Sequence, residues 1–399
     1  MQFKDIIGQQ EIKKHLAEMV EQNRLSHALL FLGKEGSGAL NLAMAFAQYV
    51  VSLPAPSPVV KDLFGGQTAI ETVPSYISPD DIIHQPSFQR AEKLLHPDLH
   101  FTYPVIAKKT GEKPKSADFI SEWREFIQQF PYGNVYDWLQ FIGAENKQGN
   151  ITAEECNEII HKLSLKSFES AFKVLVLWMP EYLRKEGNKL LKLIEEPPDN
   201  TLFILVAEND EQILPTILSR CQLIKIPLLF DKEIENALIT RANVPAETAT
   251  QIAGICGGNY REALQLLQHS DEDWHSLLRE WLNAALKGGP IAQVKFVEEV
   301  AKLGREKQKQ FLRYFNHLLA QSIRIKILGP DFAQLPEKER DFAIRLNKIA
   351  SVSQQQAIIE ELDRASYHIE RNAHAKMLFQ ALTIKLYHII QNKTLILMN

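Results

Sequence analysis

The chain has 399 residues, 45% hydrophobic and 24% charged, which is room for two or three domains and the composition of an ordinary globular protein. Lys and Arg number 45 against 49 Asp and Glu, a net charge of −4, so bulk charge makes no case for nucleic-acid binding, although a local patch is not excluded. Cys156, Cys221 and Cys256 lie far apart, with neither metal spacing nor a disulfide framework, as expected in a reducing cytoplasm. No apolar run approaches a membrane span, and the opening MQFKDIIGQQEIKKHL has no signal-peptide core.

Residues 3–25 read as a short turn and then an amphipathic helix, with Ile12, Leu16, Met19 and Val20 on one face. Residues 27–32, HALLFL, read as a short apolar strand. Gly33, Gly36 and Gly38 then make a tight turn into an apolar helix over 40–50. A phosphate loop needs such glycines so that backbone N–H groups can approach the phosphates. It also needs a Lys for the β- and γ-phosphates and a Ser or Thr hydroxyl for Mg²⁺. Here the Lys place is Ala39 and the hydroxyl place is Leu40. The glycines alone would equally serve a plain strand–helix turn.

Three prolines within 52–60 mark a linker or extended excursion. The HPDLHFTYP stretch at 96–104 reads as a strand between turns, and 108–116 as a basic, turn-rich loop. Residues 117–143 carry Trp123, Phe126, Phe130, Tyr132, Tyr136, Trp138 and Phe141 at roughly helical spacing, which points to core packing. Thr152-Ala-Glu-Glu155 predicts a capping box opening a helix to about Leu163. Residues 172–179, FKVLVLWM, and 201–207, TLFILVA, are continuous apolar runs of the kind buried parallel strands show. Between them, 181–196 predicts a helix stopped by Pro197-Pro198. A short helix over 212–221 and a last strand over 223–227 follow. From Asp231, a plausible N-cap, the pattern is wholly helical, with Gly257-Gly258 between two short helices and a long helical region from near Ser270. Strands alternating with helices imply a parallel α/β sheet covered on both faces.

A nucleotide-hydrolysing site would need acidic residues at the end of an apolar strand, to hold Mg²⁺ and activate water. After Val174-Leu-Val-Leu177 come Trp178, Met179 and Pro180, and the first carboxylate is Glu181. Both nucleotide motifs are thus degenerate, in separate segments.

Other motifs are intact. NKLLKLIEEPP at 188–198, FILVA at 203–207 and LPTILSRC at 214–221 resemble the AAA+ clamp-loader family, whose pattern is N-A-L-L-K-x-L-E-E-P-P, a strand, and L-P-x-x-I-x-S-R-C. IGQ at 7–9 and NRLSHALLFLG at 23–33 are similar to that family's opening, and GNYREAL at 258–264 to its G-x-x-R-x-A-L segment. The specific motifs cover about 1–50 and 150–270; residues 270–399 fit only as a helical region of suitable length. Within the family the pattern looks like the ATPase-deficient delta-prime subunits of bacterial DNA polymerase III.

The resemblance implies an α/β AAA+ (RecA-like) domain over 1–228 with an insertion at about 108–150. It further implies a small helical lid over 229–270 and a helical collar for oligomerisation over 271–399. It implies that Arg220 is an arginine finger acting on a neighbouring subunit's ATP–Mg, positioned by Ser219 and Cys221, with Cys221 a small apolar residue and not a reactive thiol. Arg261 matches the second sensor arginine, which in relatives touches ATP bound to the same chain. The first sensor falls near Glu208 and Asn209, where a Thr is usual. No cofactor is expected in cis and no independent ATPase activity. The implied partners are the gamma/tau ATPase subunits and the delta subunit, with the sliding clamp and primer-template DNA indirectly, and no membrane. Many relatives carry a four-cysteine zinc module in the region of 51–95. That stretch has no Cys here, and His84, His96 and His100 are not at ligand spacing, so no zinc or other metal is expected. Two other readings stay open: an active gamma/tau-like motor subunit, and an AAA+-derived adaptor outside replication. The 108–150 insertion has no role assigned by its sequence.

Overall fold

A computed structural model describes residues 1–54, 76–108, 113–144, 148–268, 273–329, 337–370 and 373–391. Most of the proline-rich 52–60 stretch, the centre of the basic run at 108–116 and the boundary expected at Ser270 lie outside the described residues. Contacts divide the chain into two units, Met1–Ala242 with Gly258–Glu262, and Asn243–Gly257 with Ala263–Asn399. The 229–270 stretch is therefore divided between them.

The first unit runs α1 (Gln10–Glu21), β1 (Ala28–Gly33), α2 (Ala39–Val51), α3 (Pro86–Glu92), β2 (Leu99–Thr102), α4 (Ile120–Gln129), α5 (Val135–Phe141), α6 (Ala153–Ser164), β3 (Lys173–Trp178), α7 (Leu191–Glu195), β4 (Thr201–Ala207), α8 (Pro215–Leu218), β5 (Gln222–Ile226) and α9 (Asp231–Ala242). All strand pairs are parallel, in the order β2-β3-β4-β1-β5. Strands β3 and β4 are buried along their whole length, which is why their sequences are unbroken apolar runs. Edge strand β5 alternates towards its end instead. Every residue of α2 is buried, so this helix is apolar all round instead of on one stripe. Its Phe46 packs on Phe31 of β1, ring centroids 6.3 Å apart. The strand order sets the carboxyl ends of β1, β4 and β3 side by side, the edge of an α/β sheet where ligands bind.

The aromatic stretch is core, as its spacing predicts. Trp123, Phe126 and Trp138 are fully buried, Tyr132 nearly so, and Phe130 is largely exposed. Trp123 stacks on Tyr103 at 4.1 Å and meets Trp138 and Trp178 at 5.3 Å each. The Trp138 indole N–H donates to the Pro104 carbonyl at 2.7 Å.

Three local expectations need correction. The helix predicted over 181–196 is a tight 3-10 stretch, Pro180–Leu190, then α7, because Arg184 takes a left-handed φ of 48° that no helix continues through. The helix predicted over 212–221 is a single turn at Asp210–Gln212, an extended Leu214 and the four-residue α8; Pro215 disfavours a helical conformation at the residue before it. The Thr152 cap is one-sided. Its hydroxyl accepts from Glu155 N at 3.2 Å, but the Glu155 carboxylate instead accepts from Thr102 Oγ1 and Ser116 N, each at 2.8 Å.

The second unit is helical: α10 (Ala246–Ile255), the later part of α11 (Tyr260–Gln268), α12 (Trp274–Leu286), α13 (Gly289–Ala301), α14 (Arg305–Leu328), α15 (Glu337–Ile349), α16 (Val352–Glu370) and α17 (Ala375–Gln391). Trp281 centres its core, 5.4 to 6.0 Å from the rings of Phe296, Phe311, Phe315 and Phe379, and donates to Thr383 Oγ1 at 2.9 Å. Among the described residues no helix is long and apolar enough to cross a membrane.

If the 117–143 stretch is core, Trp138→Ala should cost about 3–5 kcal/mol of unfolding free energy in chemical denaturation, from the cavity and the orphaned Pro104 carbonyl. A loss under about 1 kcal/mol would place Trp138 outside the core.

Candidate functional site

Strand β1 delivers the chain to its glycine turn at the carboxyl edge of the sheet. Gly36 and Gly38 take φ of 73° and 85°, which glycine adopts without strain. Their missing side chains are also needed for packing. A Cβ on Gly36 would lie 1.8 Å from Asn259 Oδ1, and one on Gly38 would lie 3.1 Å from the Tyr132 ring. Protein side chains thus make the close approach that a phosphate would make to such a loop. The next residues, Ala39 and Leu40, start α2 and are buried.

Above this turn lies a buried ionic network. Arg261 is 5% exposed. Its Nε and Nη2 donate to the two carboxylate oxygens of Asp137, both at 2.5 Å, and its Nη1 donates to Glu35 at 3.0 Å. Glu35 also accepts from Asn134 Nδ2 at 2.9 Å and Asn259 Nδ2 at 3.1 Å. Asn134 and Asp137 form a reciprocal capping box that opens α5, at 2.9 and 3.0 Å, which holds the Asp137 carboxylate in place. Two carboxylates, Asp137 and Glu35, thus answer the guanidinium beside the loop. Arg261 is therefore at the loop, as its sequence position suggested, but its planar fork is engaged by carboxylates of its own chain.

The end of β3 carries an aromatic residue in place of a carboxylate. Trp178 is buried against Trp123 and Phe126. Glu181 turns inward: its Oε1 accepts from the backbone N–H groups of Glu208 and Asn209 at 2.7 and 2.9 Å, tying the turn after β3 to the end of β4. Burial holds its carboxyl above the usual range, against those hydrogen bonds, and Oε2 has no partner. Between these walls lies an open cleft of about 360 Å³, lined in part by Gly38, Ala39, Leu40, Tyr132, Trp178 and Glu208. At the lysine and hydroxyl places of a Mg–nucleotide loop stand Ala39 and Leu40, and Trp178 stands at the end of β3 where a metal-binding carboxylate would be.

Arg220 stands apart, between α8 and the edge strand β5. It is one-third exposed. Its Nε donates to Glu195 at 2.5 Å and Nη2 pairs with the same carboxylate, while Nη1 donates to the Thr216 carbonyl at 2.8 Å and Ser219 Oγ at 3.0 Å. Ser219 thus contacts Arg220 directly. Burial pushes the Cys221 thiol up to about 11, which disfavours the thiolate at neutral pH.

A family model described as DNA polymerase III, delta subunit, matches residues 8–59 and 84–229, about half of the chain. DNA polymerase III subunit delta' of Bacillus subtilis is 26% identical over 263 residues, 66% of this chain and 60% of that protein. The tau/gamma subunit of Haemophilus influenzae is 25% identical over 270 residues, 66% of this chain and 30% of that protein. The chain belongs to the family of DNA polymerase III clamp-loader subunits. It spans less than two thirds of either curated relative's length. Among solved structures, a gamma subunit-related protein of Thermotoga maritima overlaps 94% of this chain and 98% of that one, at 13% identity and a TM-score of 0.36. The parallel sheet and helical region are those of an AAA+ domain with its helical continuation. Within this clamp-loader subunit the matched stretch contains the glycine turn and Ser219–Arg220–Cys221, while Arg261 lies beyond it.

Sequence reasoning missed Glu35, Tyr132, Asn134 and Asp137. The Asn134-x-x-Asp137 spacing signals a helix start, but nothing local ties Asp137 to Arg261, 124 positions on.

Glu181 gives a pH test. A carboxyl whose pKa is raised on folding favours the folded state when protonated, and that contribution fades as pH rises through the folded value. Glu181→Gln should therefore be more stable than the parent at pH 7, with the gain shrinking as pH falls towards 4.5. Denaturant melts at both pH values read this out; a gain that grows on acidification reverses the assignment.

Proposed function

We propose that this chain is the ATPase-deficient, delta-prime-type subunit of the DNA polymerase III clamp loader, and that Arg220 serves in trans as the arginine finger on a neighbouring subunit's ATP–Mg. One contrast supports the reading: the chain's own cleft is lined by Ala39, Leu40 and Trp178, and Arg261 is bound by carboxylates of its own chain, whereas Ser219–Arg220–Cys221 keeps the family pattern with Arg220 partly exposed. Losing the lysine and hydroxyl contacts, each worth roughly 1.5–3 kcal/mol, weakens a nucleotide in cis by about 10²–10⁴-fold. In trans the chemistry differs. A guanidinium placed on a neighbour's γ-phosphate stabilises charge that develops during transfer, and contributes about 10³–10⁵ in rate in well-studied NTPases. The exposed pair with Glu195 and the bond to Ser219 hold the fork in one orientation. An exposed ion pair is worth only about 0–1 kcal/mol, so its exchange for phosphate oxygens is cheap. The partners in this reading are the gamma/tau ATPase subunits and the delta subunit, with clamp and primer-template DNA engaged by the assembly.

A gamma/tau-type motor is the second reading, favoured by a tau subunit of Bacillus subtilis that is 24% identical over 84% of this chain. Micromolar ATP binding by the isolated chain would support it over the first.

The deciding experiment is Arg220→Ala in the reconstituted clamp loader, with ATP hydrolysis followed in the presence of clamp and primed DNA. Hydrolysis at the adjoining site should fall at least 10²-fold with assembly intact. Undiminished stimulated turnover removes the finger.

A further inference from the structure

We propose that the 131–141 segment, from the insertion that carries the aromatic core, is an intramolecular stand-in for nucleotide phosphates. Asp137 and Glu35 take the place of the anion on Arg261 and hold the glycine turn to the Gly258–Glu262 segment with no nucleotide. The inference rests on the own-site half of the reading above and is independent of Arg220.

A guanidinium with 5% exposure must be neutralised by partners, since water cannot reach it. Asp137 meets it as a planar two-oxygen acceptor, the geometry by which Arg grips phosphates as well as carboxylates. Glu35, within the turn itself, adds a third acceptor oxygen. The same segment reaches other parts of the cleft's surroundings. The Tyr132 ring lies over Gly38, its hydroxyl accepts from Ile7 N at 3.0 Å, and it packs edge-on against Tyr260 at 4.9 Å. Asn134 bridges to Glu35. Trp138, the residue after Asp137 in the first turn of α5, anchors the segment against Trp123 and Phe126, both of which pack on Trp178. The turn and the Gly258–Glu262 segment then bond directly, Tyr260 N donating to the Gly36 carbonyl at 3.3 Å. A plain structural ion pair would not also explain why a single segment contacts residue 7, the turn, the end of β3 through its anchors, and residues 260 and 261.

The test uses the full chain. Asp137→Asn keeps the shape of the side chain but removes its charge. Amide exchange should rise at least tenfold at Gly258–Glu262 and across 33–41, because a buried guanidinium loses its main partner. Inorganic tripolyphosphate, with no base or sugar, should then restore protection in the variant by occupying the freed fork, and should leave the parent's exchange and calorimetric trace unchanged. Unaltered exchange in Asp137→Asn overturns the proposal. So does a rise that tripolyphosphate fails to reverse, or binding of tripolyphosphate by the parent as tight as by the variant. If Asp137→Asn does not fold, Glu35→Gln frees only Nη1 of Arg261: exchange should rise by less and tripolyphosphate should leave it largely unchanged, and unaltered exchange in this variant likewise overturns the proposal. Loss of the neighbour's ATPase on Arg220→Ala is unaffected by any of these results, so the two claims fail separately.

Discussion

Arg261 carries a permanent charge into a place water hardly reaches, and the arrangement around the glycine turn answers that charge. A buried cation without partners would cost several kcal/mol, so the carboxylates cannot be incidental. Asp137 is held by its capping box with Asn134, Asn134 is bonded to Glu35, and Glu35 belongs to the turn. Each member is fixed by another, and the buried network can keep one geometry only while all are present. The aromatic core beneath supplies the rigidity. Trp123, Phe126 and Trp138 fix the position from which α5 presents Asp137.

The two arginines show how one side chain is set to different tasks by its surroundings. Arg261 is enclosed and saturated by carboxylates. Arg220 sits at the edge of the sheet with one carboxylate, one carbonyl and one hydroxyl, partly open to solvent. Desolvation makes the first pair expensive to break, and solvent screening makes the second easy to exchange. This asymmetry separates an internal fastening from a partly exposed pair that exchanges readily.

Much of the fold was legible because its signals are local. Unbroken apolar runs gave β3 and β4, the three glycines located the turn, and the apolar periodicity of 117–143 gave a core. The breaks at Arg184 and Leu214 were not legible. One depends on a single left-handed residue, and the other on how far Pro215 bends the preceding chain. At the site, Ser219–Arg220–Cys221 and Arg261 were readable from motif spacing. Glu35 and Asp137 were not, since a carboxylate that pairs with an arginine more than a hundred positions away leaves no periodic trace. Glu155 makes the same point in miniature: its place three residues after Thr152 suggested a reciprocal cap, while its carboxylate serves β2 and Ser116 instead.

The contact between Gly36 and Asn259 bears on how such a chain can change over generations. With Asn259 seated where a Cβ would be, Gly36 is kept by packing whether or not a phosphate ever arrives, so the glycine pattern does not by itself report an activity. The same packing constrains the neighbouring positions: Ala39 is buried, the Tyr132 ring sits over Gly38, and the paired carboxylates stand above the turn, so a larger or charged side chain here needs several simultaneous changes to be seated.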